Sequence, residues 1–253
     1  MKWDQMTSLE LGEVARATPV FLSIAAVEQH GPHLPLATDA MIGERLLGEL
    51  DRRIGSDVLI LPQLAVGASA HHLDYPGTLS LRHATLQSCV IDIAESVFGH
   101  GFRNLVIFNS HAGNQALGGV VLEQLGAAHL DRRIVLASWW KLIAPELRTL
   151  LARKAGGDSH AGDLETSLML HLYPEAVRAI APRHDERSAP FSWAAGDLLT
   201  AERATLYASM RDRTGGSGVD GEPGRASAER GAAITALVTE ALTDLALGLK
   251  RAG

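Results

Sequence analysis

Four short runs, at residues 19–26, 58–61, 105–108 and 134–137, are apolar almost throughout, and stretches of helical period separate them. A strand that is apolar at successive positions, and not at every second one, is buried on both faces. Between the runs, Met41, Ile42, Leu46, Leu47 and Leu50 recur on one side of a predicted helix over 39–54. Leu86, Val90, Ile93, Ala94 and Val97 do the same over 84–99. Strands alternating with such helices imply βαβ crossovers, hence an α/β fold with a mainly parallel sheet and helices on both faces.

Further helices are expected at 7–16, 115–128, 164–172 (stopped by Pro174) and 226–250. Residues 63–82 and 156–163 read as loops, and from 182 to 223 the pattern dissolves into short polar and Gly-rich pieces. At 253 residues, with no internal repeat and no linker, residues 1–253 are expected to form one domain.

In open parallel sheets, ligands bind beyond the carboxyl ends of the strands. Two polar clusters fall there, at 28–39 after the first apolar run and at 109–114 after the third. Glu28 and His30 are two apart, so an extended segment places both on one side. Asp39 lies at a predicted helix start, where it could simply cap the helix or fold back to the same point. His111 offers a fourth donor among small residues that permit a tight turn. A third cluster holds His160 and Glu165; taken alone, Glu165 is also explained by helix N-terminal electrostatics. Carboxylate and imidazole donors without thiolates suit Zn, Mn or Fe(II). If Asp39 bridges two ions, the arrangement is a two-metal hydrolytic site.

His71 and His72 could line a pocket, though solvated loop positions are the plainer expectation. Ser110 beside His111 makes no hydrolase dyad, and no Gly-x-Ser-x-Gly elbow exists. Cys89 is expected in the core of a helix. A net charge of −6 and no basic block argue against nucleic acid. With one cysteine, no signal-peptide pattern and no uninterrupted membrane-length apolar run, a cytoplasmic protein without a membrane partner is expected.

Three motifs taken together carry a resemblance. Residues 28–35 with Thr38-Asp39, then residues 109–114, then residues 160–167, occur in an order that resembles the creatininase (creatinine amidohydrolase) family. The resemblance implies a three-layer α/β/α fold, two divalent metal ions per subunit and cleavage of a non-peptide, often cyclic, C–N amide bond in a small substrate. It further implies Glu28, His30, Asp39 and His111 as metal ligands, Asp39 as the bridge, and His160 as the acid/base. Trp140 falls where creatininase has a substrate-covering Trp; His71 and Ser110 complete the expected substrate side. A homo-oligomer, commonly a hexamer, is implied too. Creatininase has a metal-binding glutamate where this chain has Gly113, so Glu165 is the substitute candidate for ligand and catalytic group. Formamide deformylases and precursor peptidases of the same family are the alternatives to creatinine/creatine interconversion.

Two rivals stand outside that family. One is a non-catalytic ligand-binding α/β module, although no Gly-x-Gly-x-x-Gly follows the first strand. The other is a metal-free hydrolase using Ser110 or Cys89.

Overall fold

Val20 pairs in parallel with Leu59 on one side and with Leu105 on the other, which makes its strand an interior one. The computed structural model describes residues 1–151, 158–180, 191–200 and 202–253. In chain order the first half runs α1 (Ser8–Glu13), β1 (Val20–Ile24), α2 (Thr38–Ile54), β2 (Leu59–Ile60), α3 (His83–Gly99), β3 (Asn104–Asn109), α4 (Gln115–Ala128) and β4 (Arg133–Ser138). The second half runs α5 (Trp139–Leu142), α6 (Ala144–Leu151), β5 (Asp158–His160), α7 (Asp163–Leu172), α8 (Met210–Arg213), β6 (Asp220–Gly221) and α9 (Ala228–Arg251). Strands β2-β1-β3-β4 form a parallel sheet.

Alternate residues of each strand feed two separate cores. Phe21, Val106, Phe108 and Ala137 pack with α2, α7 and α9 on one face. Val20, Leu22, Ile24, Leu105 and Ile107 pack with α3 and α4 on the other. Each fully buried Leu, Ile or Phe is stabilising by roughly 1.5–3 kcal/mol, so both faces must be covered. This is the three-layer α/β/α arrangement. Helix α9 is long and apolar enough to cross a bilayer by composition. Its residues Ile234, Val238, Leu242 and Ala246 are instead fully buried in the first core.

Helix α1 starts with a capping box, Thr7 accepting from the Glu10 N–H while Glu10 accepts from the Thr7 N–H. Part of the expected 156–163 loop is a strand. Asp158–His160 pairs antiparallel with Asp220–Gly221 across a register irregularity. A three-residue strand with a distant partner leaves no period to read. Residues 152–157, 181–190 and 201 lie outside the described residues, and with them Gly156, Gly157 and part of the 182–223 stretch.

Strand β1 connects to β2 through α2 on one face, and β3 connects to β4 through α4 on the other. The chain therefore leaves the adjacent ends of β1 and β3 in opposite directions, and a crevice opens between them. Such switch points are where doubly wound sheets bind ligands.

Candidate metal centre

Beyond β1 the backbone closes on itself: the Glu28 N–H donates to the Leu36 carbonyl at 2.8 Å. That closure returns the start of α2 to Glu28 and brings Asp39 back to it. The helix N-terminus has no side-chain cap; the Asp39 carboxylate turns to imidazoles, Oδ1 3.4 Å from His30 Nε2 and Oδ2 3.0 Å from His111 Nδ1. His111 follows β3, and its own N–H is held by Asn109 Oδ1 at 3.1 Å. Its Nε2 lies 3.3 Å from Glu28 Oε2.

From the other half of the chain, α7 delivers Glu165, whose Oε2 lies 3.8 Å from His30 Nε2. Ala161, at φ 52°, adopts the left-handed region that L-residues rarely enter. This points its N–H at Glu165 Oε2, 2.5 Å away. His160 Nε2 lies 2.7 Å from the Gln29 carbonyl and its Nδ1 is 3.6 Å from Glu28 Oε1. His33 turns away to Thr166 at 2.9 Å and joins none of these contacts.

The electrostatics of this cluster are those of a cation site. Beyond their charge contacts with one another, Glu28 Oε1 and Oε2, His30 Nε2, Asp39 Oδ2 and His72 Nε2 are buried without a hydrogen bond of good geometry among the described residues. Leaving such groups unpaired is costly, and metal coordination is one of the few ways to satisfy them. Burial, reinforced by Asp39, pushes the Glu28 carboxyl up to about 7; burial, with Asp39 again, does the same to Glu165, also to about 7. Burial opposes a charge on His30, but Asp39 and then Glu165 outweigh it and raise the imidazole to about 10. Burial likewise opposes His111, which Glu28 and Asp39 raise to about 9. For Asp39 burial is outweighed by His30 and His111, which hold it below the carboxylate range. Protons are thus doing the charge balancing that a divalent cation would do on displacing them.

Donor atoms of Glu28, His30 and Asp39 lie within 4.8 Å of one another, as do those of His30, His160 and Glu165. Glu28 forms further groups with His71 and His111 and with His72 and His160. All five expected ligands, Glu28, His30, Asp39, His111 and Glu165, meet in one place. Sequence reasoning missed His72: it is 1 % exposed, and its Nε2 sits 3.2 Å from Glu28 Oε1. The adjacent pair His71-His72 was the only signal, and it reads equally well as solvated loop. Gly113 leaves no room for a side chain, because a Cβ there would lie 2.3 Å from His111 Nε2 and 2.7 Å from the Ala68 carbonyl.

A cavity of about 830 Å³ opens onto the cluster, lined at its inner end by Glu28, His71, His72, His111, His160 and Glu165. Trp140 is in its wall, and the His71 ring stacks on His111 with centroids 5.8 Å apart. Ser110, expected on the substrate side, is not in the lining. Its Oγ packs under Gly43 of α2 and lies 3.5 Å from the Ile24 carbonyl, because the residue before His111 on this turn points back beneath the sheet's end. Cys89 is half-buried on α3 and also absent from the lining. Neither can serve as a nucleophile in this cavity.

A family model described as Creatinine amidohydrolase matches residues 4–246. The chain belongs to the creatininase family. A mycofactocin precursor peptide peptidase of Mycobacterium tuberculosis is 32% identical over 235 residues, covering 87% of this chain and 81% of the relative. The creatinine amidohydrolase of Pseudomonas putida is 34% identical over 172 residues, 62% of this chain and 65% of that protein. Two solved structures, a mutant creatininase of Zn–Zn type and a Mn creatininase, superpose with TM-scores of 0.79 and 0.76. Both are 26% identical, each alignment covering 96% of either chain. As a creatininase-family protein the chain is a hydrolase of C–N amide bonds, and its buried carboxylate–imidazole cluster is of the divalent-metal-binding kind.

Proposed function

We propose that this protein hydrolyses a C–N amide bond other than an ordinary peptide bond, using two divalent ions, Zn, Mn or Fe, held by Glu28, His30, Asp39, His111 and Glu165. One observation carries the reading: the buried oxygens and nitrogens of Glu28, His30 and Asp39 that lack a hydrogen bond share one focus, and Glu28 also lines the cavity. Asp39 suits a bridge, since its two oxygens face different imidazoles. When bound, divalent ions would polarise the amide carbonyl and lower the pKa of water.

The chain's own groups supply the rest. His160 is kept neutral by burial and by the neighbouring charge of His30. Its Nε2–H is engaged by the Gln29 carbonyl, so Nδ1 is the nitrogen free to accept a proton and pass it to the departing amine. Trp140 walls the cavity and keeps bulk water from the reacting bond.

The cavity favours one substrate class within the family. At about 830 Å³ it sits high in the roughly 300–1,000 Å³ range of ligand clefts, far more than one five-membered ring needs. The similarity to the precursor peptidase also covers more of the chain than that to creatinine amidohydrolase. A modified or terminal peptide amide therefore fits better than creatinine or a simple formamide. Exposed Phe191, Trp193 and Tyr207 suit a homo-oligomer, a hexamer by analogy; we place the enzyme in the cytoplasm, without nucleic-acid or membrane partners. The deciding assay follows release of amine, formate or amino acid from creatinine, formamides and short peptides, with Zn or Mn added and removed. Chelator-sensitive turnover of one class supports the reading; chelator-insensitive turnover, or stoichiometric ligand binding with no metal retained, defeats it.

A further inference from the structure

Gln29, between two of the candidate ligands, is itself no ligand, yet three of its polar atoms engage the site. The side chain is 6 % exposed, and Gly218, at φ +73°, packs so close that a Cβ there would lie 2.2 Å from Gln29 Oε1. The Gly31 N–H lies 3.0 Å from the same oxygen. A backbone N–H can only donate, so Oε1 is the carbonyl end and the other terminus is the NH2 donor. That donor lies 2.9 Å from His72 Nδ1.

His72 must therefore present a lone pair at Nδ1. A ring whose Nδ1 is bare is neutral and carries its one proton on Nε2. Nε2 is the atom 3.2 Å from Glu28 Oε1. A nitrogen bearing a proton cannot ligate a cation. His160 is templated the opposite way: its Nε2 is 2.7 Å from the Gln29 backbone carbonyl, where two lone pairs would repel. Nε2 is thus protonated and Nδ1 bare. The two rings, 4.4 Å apart between centroids, turn a protonated and a bare nitrogen toward Glu28 Oε1, at 3.2 and 3.6 Å.

We propose that Gln29 is a positioning residue that fixes the tautomer of His72, keeping a proton on the Nε2 that faces Glu28 and excluding the ring from the metal shell. The inference rests on the metal-centre reading for its consequence, but the tautomer itself does not. Outer groups set beside a metal ligand, as His72 is beside Glu28, typically change metal affinity or activity 10–100-fold when lost.

The test uses full-length, zinc-loaded protein labelled with 15N-histidine, in which two-bond proton–nitrogen correlations report which nitrogen carries hydrogen. In the native protein His72 should show Nε2–H with an unliganded, bare Nδ1. Gln29→Glu puts an acceptor opposite Nδ1, so the His72 pattern should invert. His160 Nε2 faces the Gln29 backbone carbonyl at 2.7 Å and the Gln29 side-chain nitrogen at 3.1 Å, so an acceptor on that side chain should leave its proton on Nε2 and only His72 should invert. Zinc affinity by chelator competition should weaken on the order of 10–100-fold, although an added negative charge alone would tighten it. His72→Gln, which keeps an N–H donor, should bind zinc more tightly than His72→Leu. A protonated Nδ1 or a zinc-shifted Nε2 on native His72 overturns the proposal, as does unchanged or tighter zinc binding in a Gln29→Glu protein with inverted His72. If Gln29→Glu does not fold, the native spectrum and the His72 pair still decide. No measurement here needs turnover, so failure to hydrolyse any amide would count against the functional reading and leave the tautomer result standing.

Discussion

Asp39 Oδ2 and His111 Nδ1 lie 3.0 Å apart, although one opens the helix after β1 and the other follows β3 across the switch point. Their contact ties the two halves of the crevice together. Asp39→Asn keeps the shape but removes the charge that raises His30 and His111. It should lower metal affinity on the order of 100-fold or more and abolish turnover, with the protein still folded. Metal analysis after dialysis, paired with kcat/KM, checks this. A folded variant with full metal and native rate would sink the bridging role.

The metal-free protein should be less stable at high pH. His30 and His111 titrate near 10 and 9 when folded, against about 6.5 when unfolded. Below 6.5 both states hold these protons and the stabilisation is fully present. Between 6.5 and 9–10 the folded state binds more protons, so stability falls as pH rises. Glu28 and Glu165, raised to about 7, add the same trend only below that pH. Thermal melts with chelator should therefore drop by several degrees from pH 7 to 9.5, about 1 kcal/mol being worth roughly 2–4 °C in a chain this size. Zinc-loaded protein should not show the drop, because the cation replaces the protons. Parallel curves would mean that these imidazoles are not held charged.

Gly113→Ala should disturb the site more than its single methyl suggests. The new Cβ would meet His111 Nε2 and the Ala68 carbonyl, neither of which can yield freely. Overpacking of this kind costs about 1–3 kcal/mol, and here it would also tilt a metal ligand. Loss of both melting temperature and metal content is expected. A crystal structure of the variant with His111 unmoved and metal retained would contradict this.

Legibility in the sequence followed periodicity. The α4 helix at Gln115–Ala128 was readable to the residue, because Leu117, Val121 and Leu125 mark one buried stripe. Glu28, His30 and His111 were readable as candidates because each follows closely on a strand of obvious character, and Asp39 because it opens the periodic helix after β1. His72 was not, since residues 63–82 have no period and are folded by isolated bridges such as Val27 to Leu79. Nor was β5, whose partner β6 is sixty residues away by register, His160 facing Asp220. Ser110 was misplaced because the direction of a side chain on a tight turn depends on dihedrals that residue type does not encode.

Glu165→Gln separates a one-ion centre from a two-ion centre. Glu165 joins His30 and His160 in one donor group, whereas Glu28, His30 and Asp39 form another that does not need it. The amide is nearly isosteric, and its oxygen can still accept from Ala161 N–H, so the turn at the start of α7 should persist. What is lost is the charge facing His30 Nε2. The expected result is a fall from about two ions to one per chain by metal analysis, with turnover lost and the melting temperature close to native. Two ions retained would leave Glu165 outside the metal shell. No ions retained would mean that the two groups bind as a unit, and that the shared His30 couples them too tightly for either to be filled alone.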